Sequence, residues 1–159
     1  MIREAKKSDF DAIHKLEMQV ADIHLSARPD IFKNPLWWSR NAENFEECLE
    51  DEYMKLFVFD DGGKILGHCK VDIYGPGEDD EGDDTQHEVL VLFIETIFVD
   101  GAARGRGIGR QLLERAKAYG KEIGAVRLEL CAWNLNQGVT AFYEHLGMAV
   151  QSAQMELIL

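Results

Sequence analysis

Apolar positions along the chain switch between two periods. Residues 2–5 form a short strand candidate. Phe10, Ile13, Leu16, Val20 and Ile23 then recur at helical spacing, which predicts a helix from Ser8 with one core-facing side. Ser8 and Asp11 loosely match a capping box, with Asp in place of the preferred Glu. The helix should end near Arg28-Pro29, because the residue before a proline is pushed out of the helical region. Residues 37–50 read as a second helix, with Trp37, Phe45, Cys48 and Leu49 as its inner side. Residues 55–59 and 64–74 read as strands joined by Asp60-Asp61-Gly62-Gly63, where Asp-Gly is a strong hairpin signal.

Residues 89–99, Val-Leu-Val-Leu-Phe-Ile-Glu-Thr-Ile-Phe-Val, are apolar almost throughout rather than alternating. That pattern suits a central strand covered on both faces. Ile108, Leu112, Ala116, Tyr119 and Ile123 make one helical stripe over 107–124, with Gly124 placed to cap the end. Residues 126–133 form a strand candidate. Val139, Phe142, Tyr143 and Leu146 mark a short helix closed by Gly147, and 149–152 and 155–159 look like a closing hairpin. There are no internal repeats and no linker. The order β, α, α, hairpin, β, α, β, α, β, β predicts a single α/β domain over 1–159 built on one mixed sheet (α+β).

Composition adds limits. Hydrophobic residues make up 46% and charged residues 29% of the 159, as in ordinary globular proteins. A formal charge of −12 argues against nucleic acid as the main partner and leans mildly toward a cationic one, with plain solubility as the simpler reading. No uncharged apolar stretch reaches ~18 residues, so no membrane span is expected. Nor does the N-terminus have the pattern of a signal peptide. Cys48, Cys69 and Cys131 are scattered and without metal spacing, so reduced thiols, a cytoplasmic location and no metal are expected. The acids of 78–84 fall in a break in composition at 75–88, read as a surface loop. The sharper alternatives for that loop are a lip attracting cationic substrate and a weak divalent-cation site.

The chemistry gathers behind the apolar strand. Arg104-Gly105-Arg106-Gly107-Ile108-Gly109-Arg110 joins it to a helix. Glycines let backbone approach a ligand, the first N–H groups of a helix are unpaired, and the helix dipole favours negative charge. The turn therefore suits a phosphate or diphosphate. It is neither a Walker A loop, lacking Gly-Lys-Ser/Thr, nor a convincing dinucleotide fingerprint. Glu95 is an acid inside an apolar strand. It must be paired, placed at a cleft or bulge, or kept neutral; in a cleft it could serve as a general base. Tyr143 could protonate a leaving thiolate or simply pack with Phe142. Asn136 could cap the short helix. His14 and His24 read as packed or solvated side chains rather than ligands.

Ile94-Glu95-Thr96-Ile97-Phe98-Val99 followed by Arg104-Gly105-Arg106-Gly107-Ile108-Gly109 resembles the acetyl-CoA-binding core of the GNAT superfamily of N-acetyltransferases, whose Arg/Gln-x-x-Gly-x-Gly/Ala signature is matched by Arg104, Gly107 and Gly109. Residues 128–136 with Ala141-Phe142-Tyr143-Glu144-His145-Leu146-Gly147-Met148 resemble the family's ending, and Ile2-Arg3-Glu4-Ala5 with Asp9 its beginning. The resemblance implies a GNAT-like fold, with a central mixed sheet of about six to seven strands flanked by four helices. It implies acetyl-CoA as co-substrate and direct transfer of acetyl to a primary amine. By the same resemblance, the Ile97 and Val99 backbone, with Phe98 between them, pairs with the pantetheine arm. The N–H groups of Gly105, Arg106, Gly107, Ile108, Gly109 and Arg110 hold the diphosphate. Asn136 and Phe142 border the cofactor, Tyr143 protonates the thiolate, and Glu95 takes the amine proton directly or through water. Two positions depart from the family pattern: Thr96 stands where a second acid is common, and Val139 where a small residue is usual. The alternative reading is a non-catalytic acyl-CoA-binding or sensor module. The expected acceptor is a cationic amine walled by the first two helices, with His24, Trp37, Trp38 and Tyr74 as lining. Exposed edge strands near 149–159 would suit a homodimer.

Overall fold

The computed structural model describes residues 1–33, 42–75, 89–133 and 137–158. Among these the order is β1 (Ile2–Glu4), α1 (Phe10–Ala27), α2 (Ala42–Glu50), β2 (Met54–Asp61), β3 (Lys64–Tyr74), β4 (Val91–Val99), α3 (Ile108–Glu122), β5 (Arg127–Leu130) and α4 (Gln137–His145). The sheet runs β1-β2-β3-β4-β5. The first four strands are antiparallel neighbours, and β5 lies parallel to β4, reached through α3.

Each face of the sheet is covered by the helices whose apolar stripes the sequence foretells. Ile108, Leu112, Leu113 and Ala116 of α3 pack on Phe57, Cys69, Val71, Leu92 and Ile94. On the other face Ile13 and Leu16 of α1 and Phe45 of α2 pack on Leu56, Val58, Ile65 and Phe98. Ile23, expected in the α1 stripe, is exposed, while Ala21 and Leu16 are buried. The start of α1 also differs from the Ser8/Asp11 box. A short 3-10 turn, Lys7–Asp9, precedes it, and the Asp9 carboxylate accepts the Lys6 N–H at 2.8 Å. Arg3 clamps the same carboxylate at 2.7 and 2.9 Å and reaches Asp60 at 2.9 Å. One arginine thereby ties β1, the entry to α1 and the β2–β3 hairpin.

β4 carries a bulge. Lys70 pairs with Thr96 and Val71 with Ile94, so Glu95 is the extra residue. A bulge bends its strand and increases its twist. The parallel pairing with β5 runs from Val91↔Arg127 to Ile94↔Leu130 and stops there. Beyond the bulge β4 stays paired with β3 alone among the described residues. This shortens β5 from the expected 126–133 to four residues.

The expected closing hairpin is absent: residues 149–158 lie outside regular structure and are exposed. The sheet of the described residues therefore has five strands, not six to seven. A four-residue β5 is a short template. The arm is instead held by Arg28, at the end of α1, which binds Glu156 at 2.7 and 3.0 Å. The acidic segment 78–84, most of the expected loop 75–88, and Trp37 and Trp38 fall outside the described residues. No helix among the described residues is long and apolar enough to cross a membrane.

Candidate active site

At the bulge, Glu95 turns toward the α1 face and pairs with the Lys70 ammonium. Lys70 is only 7% exposed, and its Nζ also lies 3.7 Å from Asp72 Oδ1. Glu95 is the more open partner, with 39% of its side chain exposed. A carboxylate in an apolar strand is thus explained by pairing and by a bulge that carries it to a surface.

Past the bulge the edge of β4 opposite β3 is open among the described residues. Asp100 donates its N–H to Leu66 O at 2.9 Å. Antiparallel residues aim their backbone groups alternately at the partner and away from it. Thr96 and Phe98 therefore face β3, while Ile97 and Val99 aim theirs at the open edge. Arg104 reaches that edge, with Nε donating to Val99 O at 3.3 Å and its guanidinium 5.2 Å from the centre of the Phe98 ring.

The turn that follows needs its glycines. Gly105 and Gly107 have φ of 78° and 75°, a region costly for residues with a Cβ. Gly107 is the N-cap of α3 and offers no side chain to the helix. The first intrahelical bond is Gln111 N–H to Gly107 O at 3.1 Å. The N–H groups of Ile108, Gly109 and Arg110 precede that bond and carry the positive end of the helix dipole. Of the turn's other arginines, Arg106 bonds Asp61 at 3.0 Å and Arg110 is exposed.

α4 closes on this turn. A Cβ at Gly109 would lie 3.3 Å from Phe142 Cζ and 3.7 Å from Val99 Cγ2. Strand end, helix start and α4 thus meet at one glycine. Tyr143 packs edge-on against Phe142, with centroids 5.2 Å apart. Burial pushes its phenol up to about 12, and the Cys69 thiol adds to the shift. Cys69 pairs with Ile97, so the phenol's electrostatic neighbour lies opposite the middle of the open β4 segment. Burial also pushes the Cys69 thiol up to about 12.

The structure therefore brings Glu95, Ile97, Phe98, Val99, residues 104–110, Phe142 and Tyr143 onto one strand–turn–helix unit and the helix against it. Asn136 falls outside the described residues. His24 bonds Val20 O through Nδ1 at 2.9 Å and stands with Phe32 and Trp133, whereas Tyr74 packs on Phe93. The residue that sequence reasoning missed is Lys70. Its signal was there: His68, Lys70 and Asp72 step by two along β3, a polar row on one face of a strand. A groove of about 390 Å³ lies elsewhere, between β5 and the chain after α4, lined by Arg127, Glu129, Leu146 and Met148 among others.

Among the described residues the arrangement joins a helix start with unpaired N–H groups suited to an anion, an open strand edge able to accept an extended chain, a carboxylate and a protonated phenol. The sequence model of the Acetyltransferase (GNAT) family matches residues 18–148. An uncharacterized N-acetyltransferase of Lactobacillus delbrueckii subsp. lactis is 32% identical over 89 residues, 54% of this chain and 46% of the relative. The chain spans less than half the length of the curated relatives it matches. Among solved structures, a mutant of the BH1408 protein of Bacillus halodurans superposes with a TM-score of 0.90 at 31% identity, covering 100% of this chain and 99% of that one. An aminoglycoside N-acetyltransferase in complex with CoA shares the fold, with a TM-score of 0.70 at 19% identity and coverage of 100% and 98%. By its match to the family model over residues 18–148, this chain belongs to the GNAT family of acetyltransferases.

Proposed function

We propose that this protein transfers acetyl from acetyl-CoA directly to a primary amine bound beside Glu95. The observation that carries the reading is the end of β4–β5 pairing at Ile94, one residue before Glu95. It leaves the Ile97 and Val99 backbone open in line with the unpaired N–H groups of α3. An extended pantetheine arm suits that edge as an added strand does, with its diphosphate at the helix start. Arg104 would release Val99 O as the arm binds.

In this reading Glu95, or a water it holds, accepts the proton of the acceptor ammonium, because only a neutral amine attacks. The amine nitrogen bonds the acetyl carbon, the carbon–sulfur bond breaks, and Tyr143 meets the departing thiolate. A backbone N–H freed at the bulge polarises the thioester carbonyl. The acceptor is cationic, as the charge of −12 favours. The protein works in the cytoplasm, as a homodimer assembled through the C-terminal arm.

A CoA-release assay over a panel of primary amines tests the chemistry. Loss of an acid–base group typically costs about 10²–10⁴-fold. Glu95→Gln and Tyr143→Phe should each fall in or near that range in kcat/KM while still binding acetyl-CoA. Wild-type rates in both would overturn the assignments. The second reading, an acyl-CoA sensor, draws on the pairing of Glu95 with Lys70. It requires acetyl-CoA binding with no amine-dependent thiol release from the wild-type protein.

A further inference from the structure

We propose that Lys70 is a positioning residue of the acetyl transfer. Its ammonium holds one oxygen of the Glu95 carboxylate at the bulge, and Asp72 keeps that ammonium in place while the acceptor takes the other oxygen. The inference rests on the reading of Glu95 as the group that receives the amine proton.

Three observations support it. First, Lys70 is placed by the sheet itself: it stands opposite Thr96, the residue after the bulge, on the strand that stays paired with β4. Its backbone cannot drift from Glu95 without breaking the ladder. Second, burial leaves the ammonium little water, so carboxylates must compensate it. Among the described residues the structure supplies two, Glu95 in contact and Asp72 at 3.7 Å. Third, the partners differ in exposure. The side chains of Lys70 and Asp72 are 9% and 18% exposed, whereas that of Glu95 is 39% exposed. The outer carboxylate is the one an incoming amine can reach.

A function follows from this geometry. A glutamate on a surface bulge samples several rotamers, and a misplacement of about 1 Å can cost on the order of a hundredfold in rate. Pairing with a buried ammonium removes that freedom. The acceptor's own ammonium carries the same charge and must share the same carboxylate. Asp72, two residues along β3, lies on the same face and draws Lys70 to the buried side, so the acceptor meets the outer oxygen of Glu95. Lys70 therefore still fixes Glu95 while the acceptor is bound.

The experiment uses the full-length protein, acetyl-CoA and the best-turned-over of three amines: spermidine, kanamycin and a lysine-containing peptide. Lys70→Met should lower kcat on the order of a hundredfold, by the misplacement argument. Acetyl-CoA affinity, measured by calorimetry, should be unchanged. Lys70→Arg should restore much of the rate. Asp72→Asn should raise KM for the amine and leave kcat nearly unchanged, because Lys70, without the pull of Asp72, then competes with the acceptor for Glu95. The Lys70→Met/Glu95→Gln double variant should be no slower than Glu95→Gln alone. If Lys70→Met fails to fold, the KM-against-kcat split in Asp72→Asn and the rate of Lys70→Arg decide. An impaired Glu95→Gln beside wild-type kinetics in both Lys70→Met and Asp72→Asn overturns this proposal alone. A wild-type rate in Glu95→Gln, or no amine-dependent release from the native protein, overturns the reading beneath it as well.

Discussion

Tyr143 shows how burial prepares a single residue for its part. An exposed phenol loses its proton near its ordinary value of 10.0, whereas burial between α4 and the sheet pushes Tyr143 up to about 12. The group therefore stays protonated at any pH the protein works at and keeps the hydrogen that the proposed step needs. The sign for stability follows from the same shift. Between the two values the folded chain keeps a proton that the unfolded chain releases. This contribution is unchanged below about pH 10 and falls away as pH rises through 10 toward 12. Absorbance titration at the tyrosinate band should show one late-ionising tyrosine near pH 12 that is missing from Tyr143→Phe. A difference spectrum with its midpoint near 10 would mean that the phenol is solvated. At this scale the sequence marked Tyr143 and Glu95 through the family's spacing. It left Lys70 unmarked, because a lysine in a strand is ordinarily a solvated side chain. Only the register that sets Lys70 beside the bulge gives it a partner.

The bulge is also where the elements were half legible. Leu92 and Ile94 face α3, and so do Ile97 and Val99, so the step from 94 to 97 breaks the two-residue period of a strand. A near-continuous apolar run hid that break, since residues of both faces are apolar. The helices read better, because α3 buries the stripe its spacing predicts and its boundary falls at the glycines. The expected hairpin at 149–159 misled, because an apolar segment forms a strand only where a partner edge accepts it, and β5 ends at Leu130. The turn makes a sharp prediction. Gly107 at φ 75° caps α3 with nothing within 4 Å of a Cβ there, so Gly107→Ala meets backbone strain rather than a clash. The left-handed conformation costs such a residue about 1–2 kcal/mol, which is roughly a tenfold effect if the turn must keep its shape to bind. Gly109→Leu instead drives a side chain into Phe142, 3.3 Å from its first carbon. Calorimetry with CoA should show weakened binding in both, and for Gly109→Leu a displaced α4 should also slow turnover. Unchanged affinity in both variants would remove the diphosphate from this turn.

At the scale of the whole molecule the unfinished side of the sheet is the feature left to explain. β5 shows a free outer edge among the described residues, and the arm beyond α4 keeps apolar side chains in water: Met155, Leu157 and Ile158 are each more than four-fifths exposed. Water-exposed apolar chain beside an open strand edge is what strand pairing between two copies removes. The proposed homodimer would form there, with Leu157 and Ile158 buried by the partner. Charge opposes it. Two copies each of formal charge −12 repel until salt screens them, and the screening length shrinks from about 30 Å at 0.01 M to about 8 Å at 0.15 M. The dimer should therefore gain population as salt rises, the reverse of an assembly held by ion pairs. Sedimentation equilibrium at both salt concentrations should show this rise for the native chain. Leu157→Glu should hold the protein monomeric throughout without altering the acetyl-CoA binding proposed at the start of α3. A native chain that stays monomeric at high salt and at concentrations of tens of micromolar would overturn the dimer, and the arm would then await a different partner. A dimer that survives Leu157→Glu would place the interface on another face.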